Sequence, residues 1–145
     1  MSVYEMVKNH KQKYGGTISW RLKAHSKVVE KHLNPGEEVL YAFACQKGYS
    51  SFSIFNTYVV ALTTKRIVVA QKRLLWGYLF LSITPEMFND LTIKTGLIWG
   101  KVVIDTIKEE VVFSNVSKNA VSEIETSISE YMMQEKKKYG LNQTK

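Results

Sequence analysis

The sequence predicts a mainly β chain of the α+β class: a seven-stranded antiparallel barrel, partly open, capped by a C-terminal helix and preceded by an extra N-terminal helix. Three observations predict it. The apolar period changes from 3.6 residues to 2 at Asn34-Pro35-Gly36. Seven short segments rich in β-branched and aromatic residues then follow one another with short connections, the pattern of an antiparallel meander. The period returns to 3.6 after Asn115, in a single amphipathic stretch. A sheet of seven strands with an apolar face must curl, close or be covered, and one helix suffices to cover one open corner.

The elements follow in order. Met1 to Tyr14 is polar and without period, and Gly15-Gly16 punctuates it, so it reads as a loose arm, with a short helix as the other reading. Thr17 or Ser19 is placed to cap a helix whose Ile18, Leu22, His25, Val29 and Leu33 form one stripe. Lys23, Lys27 and Lys31 lie on the opposite face, and Pro35 and Gly36 end the helix. Strands are expected at Val39–Cys45, Thr57–Thr63, Arg66–Gln71, Gly77–Ile83, Leu91–Thr95, Lys101–Ile107 and Glu110–Ser114. Gln46 to Asn56 is expected as a loop, Thr64-Lys65 as a tight connection and Pro85 to Asn89 as a polar turn. The final helix, capped by Ser117 or Asn119, carries Val121, Ile124, Ile128, Tyr131 and Met132 on one face and Glu123, Glu125 and Glu130 on the other. Gly140 is expected to end it. The expected organisation is an arm and basic amphipathic helix at 1–34, a barrel domain at 35–138 and a frayed tail at 139–145.

At 145 residues the chain holds one compact domain with a core of its own. Hydrophobic residues at 45% and charged residues at 23% exclude a disordered composition. One cysteine, Cys45, excludes an internal disulfide and a thiolate zinc site. No apolar leader opens the sequence, and the longest mostly apolar run, Leu74–Ile83, has ten residues against the ~20 a spanning helix needs. These features lead us to expect a cytoplasmic protein, or one peripheral to the membrane.

The net charge of +7 is uneven. Residues 1–34 hold seven Lys/Arg and two Glu, whereas 35–116 hold eight against seven and 117–145 five against four. The basicity therefore belongs to the N-terminal segment, with a second small patch at Lys136-Lys137-Lys138. Such patches suit an anionic surface, and equally a solvated helix face or a helix C-terminal turn.

No enzyme constellation emerges. There is no phosphate-binding glycine loop, no nucleophile elbow and no His-Glu-x-x-His. His25 and His32 share a helix but lack further metal ligands, so no cofactor is expected. Cys45 reads as a packed small hydrophobe, and Glu37-Glu38 and Glu109-Glu110 as solvated turn residues. The near-neutral barrel lacks the basic-aromatic interleaving of an RNA-binding sheet, which argues against nucleic acid as a partner.

Four local runs carry a family resemblance. They are Asn34-Pro-Gly-Glu-Glu-Val-Leu, Val60-Ala-Leu-Thr-Thr-Lys-Arg-Ile-Val-Val, Leu97-Ile-Trp-Gly-Lys-Val-Val-Ile and Phe113-Ser-Asn-Val-Ser-Lys-Asn-Ala. From about Leu33 to Met133 the chain resembles the bacterial pleckstrin-homology (PH) domains, specifically the YokE-like group. The resemblance implies a PH-like barrel that docks ligands or partners, without a shared chemistry.

In a regular meander the loops after strands one, three and five share one rim. These loops hold Lys47, Tyr49, Phe52, Ile54 and Phe55, then Lys72, Arg73, Leu74, Leu75 and Trp76, then Leu97, Ile98, Trp99 and Lys101. Aromatic, apolar and basic side chains together suit a protein interface or a membrane surface. They also suit strand ends that pack into the barrel. The first reading is contact with an unknown protein partner or with a second copy. The alternative is a weak contact with anionic membrane, helped by Lys23, Lys27 and Lys31. The basic motif by which PH domains hold phosphoinositides in the first hairpin is reduced here to Lys47, which speaks against a specific inositol-phosphate site.

Overall fold

The computed structural model describes residues 1–15, 19–48 and 54–143. Two helices, α1 (Val3–Tyr14) and α2 (Leu22–Lys31), precede seven strands. The strands are β1 (Val39–Lys47), β2 (Thr57–Thr63), β3 (Ile67–Lys72), β4 (Tyr78–Ile83), β5 (Phe88–Thr95), β6 (Trp99–Thr106) and β7 (Glu110–Ser117), and α3 (Val121–Gln143) follows. Short 3-10 turns sit at Ile54–Asn56 and Pro85–Met87. The strands form one antiparallel sheet in the order β4-β3-β2-β1-β7-β6-β5, a curled half-barrel whose two edges are β4 and β5.

That order breaks the parity of a simple meander. In an up-and-down run of seven strands, the first and seventh point the same way. Here β1 and β7 are antiparallel, Gln46 opposite Ser114 and Lys47 opposite Phe113. The reversal falls at the β4–β5 connection, where the chain leaves one edge and restarts at the other instead of making a hairpin. The loops after β1 and β3 therefore leave one end of the sheet, and the loop after β5 leaves the other, the end of the Thr64-Lys65 turn. The expected single rim is thus divided in two.

The inner face of the sheet and α3 make the main core. Phe43, Cys45, Val60, Ile67, Val69, Ile104 and Phe113 meet Val121, Ile124, Ile128 and Met132, all buried. Helix α3 crosses β6 closely enough that a Cβ on Gly100 would collide with Val121 Cγ2. It continues through Gly140, which does not end it.

The outer face of β1–β3 is also covered, which leaves these strands with apolar residues on both sides. Ala42, Ala44, Val59, Ala61, Val68 and Ala70 are small enough for α1 and α2 to lie close, and Val3, Val7, Val28 and Val29 fill the gap. Residues 1–14 are therefore a packed helix, not a loose arm. A capping box starts it: Ser2 Oγ accepts from Glu5 N–H and the Glu5 carboxylate accepts from Ser2 N–H. An isolated helix of this length is marginal in water, and burial of Val3 and Val7, each worth ~1.5–3 kcal/mol, offsets that deficit. Helix α2 is shorter than its apolar stripe predicts; Leu33 packs on the outer-face cluster beyond the helix end, and Ile18 lies outside the described residues.

Glu37 is a further correction. It is not a solvated turn residue: its carboxylate is fully enclosed. Oε1 accepts from Arg66 Nε at 2.9 Å and from Thr63 Oγ1 at 2.6 Å; Oε2 accepts from Arg66 Nη2 at 3.1 Å and from Asn34 N–H at 2.8 Å. The Pro-Gly-Glu-Glu and Leu-Thr-Thr-Lys-Arg runs are thus the two halves of one buried ion pair, which ties the entry of β1 to the β2–β3 turn. Glu109 and Glu110 are exposed.

Candidate functional site

The end of the sheet that carries the β1–β2 and β3–β4 connections holds the most exposed apolar side chains next to the most cations. Gln71 anchors it. Its buried amide donates to the carbonyls of Phe55 at 2.8 Å and Thr57 at 2.9 Å, and so fastens the Ile54–Asn56 turn onto β3. Asn56 donates to the Lys47 carbonyl, and the Lys47 ammonium lies 5.9 Å above the Tyr58 ring. The β3–β4 hairpin closes through Arg73 N–H to the Gly77 carbonyl at 3.1 Å, with Gly77 at φ 82°, a backbone conformation that glycine adopts without strain. Its tip is Leu74-Leu75-Trp76; Leu75 and Trp76 are each 79% exposed, and Phe55 beside them 61%.

The N-terminal segment completes the site. Trp20 meets Phe55 edge-to-face at 5.1 Å, Arg21 stacks on Trp20, and the Arg21 guanidinium donates to the Arg73 carbonyl. Arg21 is held at φ 56°, an uncommon conformation for a side-chain-bearing residue, and α2 starts from it without a side-chain cap. His25 lies on the floor of the hollow thus formed, whose volume is ≈ 390 Å³. Its Nδ1 accepts from Lys72 N–H at 2.8 Å. Burial, opposed by the Trp20 carbonyl and aided to a lesser degree by the Arg21 charge, lowers its pKa to about 4, so the ring is neutral at pH 7 and carries its proton on Nε2. That Nε2 is buried and makes no hydrogen bond.

Two further depressions adjoin this hollow. One lies between α2 and the start of β4 and is flanked by Arg21, Lys27, Lys31 and Lys72; the other lies between α1 and α2 and is flanked by Lys8, Lys11, Arg21 and Lys23. No carboxylate lines any of the three. Lys23, Lys27 and Lys31 are exposed, as the opposite-face spacing predicts.

Of the residues proposed from sequence, Phe55, Lys72, Arg73, Leu75 and Trp76 come together, and Lys47 lies at the same end of the sheet. Tyr49 and Phe52 lie outside the described residues. Ile98, Trp99 and Lys101 belong to the other end: the Ile98 carbonyl accepts from Lys118 N–H and Trp99 pairs with Ser117, beside the start of α3. Sequence reasoning missed Trp20, Arg21 and His25 as members of the site. Their join to the hairpin is long-range, and the one local signal, the capping box that makes the N-terminal segment a packed layer, went unread.

Cys45 and His32 lie apart from the hollow. Burial pushes the Cys45 thiol well above the ordinary thiol range. His32 Nδ1 donates to the Val28 carbonyl and the ring stacks on Phe80, at the far end of α2 from His25. Among the described residues, no group of three His, Cys, Asp or Glu could hold a metal, and no helix is long and apolar enough to cross a membrane.

The sequence pattern of the bacterial PH domain matches residues 33–130. No curated protein matches the chain. Solved structures similar in fold include two PH-domain proteins. A DUF1696 family protein with a pleckstrin-homology domain from Shewanella loihica is 12% identical over 74% of this chain and 92% of its own, with a TM-score of 0.52. A pleckstrin homology domain from Shewanella amazonensis is 14% identical over 78% of this chain and 89% of its own, with a TM-score of 0.53.

Proposed function

The chain belongs to the bacterial PH domain family, and from that premise we propose that it is a binding module, not an enzyme, that docks on anionic membrane surfaces through the β3–β4 hairpin and the cations around it. The observation that carries this reading is the Leu74-Leu75-Trp76 tip, exposed and flanked by Lys72, Arg73 and Arg21 with no carboxylate in the adjoining hollows. Apolar side chains and a tryptophan at headgroup depth gain burial, while each Lys or Arg near an anionic leaflet contributes about 1 kcal/mol. The abundance of lysine on this face favours lipid over protein, because protein interfaces are depleted in lysine. The attraction is non-specific: the first hairpin supplies only Lys47.

Sedimentation with vesicles of phosphatidylcholine, with and without phosphatidylserine, tests the reading. Binding should require phosphatidylserine, weaken as salt screens the cations, and fall in Trp76→Ser and in Arg73→Glu. Failure to sediment with phosphatidylserine vesicles at low salt eliminates it.

One observation favours a second reading, contact between copies. Strand β4, with the uncharged run Tyr78-Leu-Phe-Leu-Ser-Ile83, ends the sheet and contains neither a charge nor a proline to deter edge pairing. A solution mass that rises above 16.7 kDa with concentration, and returns to it when Leu81→Lys is introduced, supports that reading. A strict monomer removes it.

A further inference from the structure

We infer that the hollow between Trp20, Phe55 and Trp76 is a binding site for an aromatic anion, a ring that carries a carboxylate, sulfonate or phosphate group. The inference goes beyond membrane docking: it shares Trp76, Lys72 and Arg73 with that reading and adds the floor of the hollow.

Three features of the site point to that chemistry. The first is the walls. Trp20 and Phe55 already meet edge-to-face at 5.1 Å, and Trp76 stands exposed on the facing hairpin. A flat ring entering between them gains stacking and edge contacts beyond its burial. A volume of ≈ 390 Å³ is at the small end of ligand sites and accommodates one ring or two fused ones.

The second is the floor. His25 is 2% exposed, and its Nδ1 is committed as an acceptor to Lys72 N–H. The proton therefore sits on Nε2, a buried donor that makes no formed hydrogen bond, with the Trp20 carbonyl as the acceptor that acts on the ring. A donor in that state forfeits the hydrogen bonds it made in water, and a native structure rarely leaves one unpaired without a reason. An anionic oxygen arriving from the hollow would complete it. Because Nε2 is closed to solvent, a rim side chain must turn aside for the contact.

The third is the charge. The charged lining is cationic, Lys72 and Arg73, with no acid to repel an anion. The uncapped start of α2 adds the positive end of a helix dipole. The donor set thus accepts an anion and offers a cation nothing.

The site is also built across two parts of the chain. Phe55, Lys72 and Trp76 lie within residues 33–130, whereas Trp20 and His25 come from the segment before them. The hollow is therefore built in part from residues outside the matched segment.

A matched set of indoles tests the inference: indole-3-acetate, the neutral alcohol tryptophol and the cation tryptamine, each titrated into the full chain by NMR. Indole-3-acetate should shift the Trp20 indole and Lys72 amide signals saturably, tryptophol should bind about tenfold more weakly, and tryptamine should not bind. His25→Asn keeps an acceptor for Lys72 N–H but removes the Nε2 donor, and should weaken indole-3-acetate by about tenfold in a variant whose amide spectrum shows it folded. Should that variant fail to fold, Trp76→Ala, at an exposed position, should still lose affinity, while Trp99→Ala at the other end of the sheet binds as the parent does. Equal binding of all three indoles would mean apolar adhesion alone and would overturn the inference. So would the absence of saturable shifts at millimolar ligand, or full affinity in a folded His25→Asn.

Discussion

Replacement of Glu37 by glutamine, which keeps its shape and removes its charge, should cost this protein a large part of its stability, and the cost should vanish in acid. Burial is the largest single influence on the Glu37 carboxyl and raises its pKa; the hydrogen bonds from Arg66, Asn34 N–H and Thr63 together outweigh it and bring the value from 4.5 down to about 2. A carboxyl whose pKa is depressed by folding stabilises the fold above its unfolded value of 4.5, and that stabilisation is lost as the pH falls towards about 2. At ~1.36 kcal/mol per pH unit, the gap amounts to ~3.4 kcal/mol at neutral pH and ~1.4 kcal/mol at pH 3. Removal of one partner from a buried ion pair typically costs ~3–5 kcal/mol, which agrees. In thermal unfolding at pH 7, Glu37→Gln should melt roughly 10 °C below the parent. Urea unfolding of both proteins at pH 7 and pH 3 should show the difference shrink by more than half. The comparison cancels every other titrating group. A difference below ~0.5 kcal/mol at pH 7, or one that does not change with pH, would refute the account of Glu37 as the anchor of β1.

Two other outcomes follow from particular contacts. Gly100→Ala should cost ~1–3 kcal/mol by overpacking against Val121, and adding Val121→Ala should recover part of that loss; additive losses in chemical unfolding would show that β6 and α3 do not touch there. His25 and His10 are both pushed down to about 4, chiefly by burial, with Glu123 opposing the shift at His10. Since the unfolded rings protonate near 6.5 and the folded ones near 4, stability should be intact above pH 6.5 and fall as the pH drops from there to about 4. Histidine NMR titration checks this, and folded-state midpoints near 6.5 would contradict it.

Local periodicity settled which segments became strands and identified the two amphipathic helices α2 and α3. Thr57–Thr63 appears in the sequence reading and in the structure with the same bounds, because alternation and β-branched residues act within the segment. The stripe of α3 is read correctly for the same reason, and all five of its predicted core residues are buried. Gly140 misled, since glycine inside a helix costs only about 1 kcal/mol and neighbouring turns carry it. Residues 1–14 misled because an arm was read from weak period, while Ser2-x-x-Glu5 was a legible cap.

What the sequence by itself determined was therefore the seven strands, the two amphipathic helices, their order and the excess of cations before Pro35. Only the tertiary structure decided that β1 and β7 run antiparallel, which parted Trp99 from Trp76 and removed one loop from the rim. It also decided that the small residues on the outer face of β1–β3 are a floor for two helices, that Glu37 and Arg66 meet, and that His25 reaches the hairpin. The physical reason is range. Hydrogen-bonding period and turn chemistry act over a few residues, whereas these pairings join positions tens of residues apart, and burial of the whole chain selects them together.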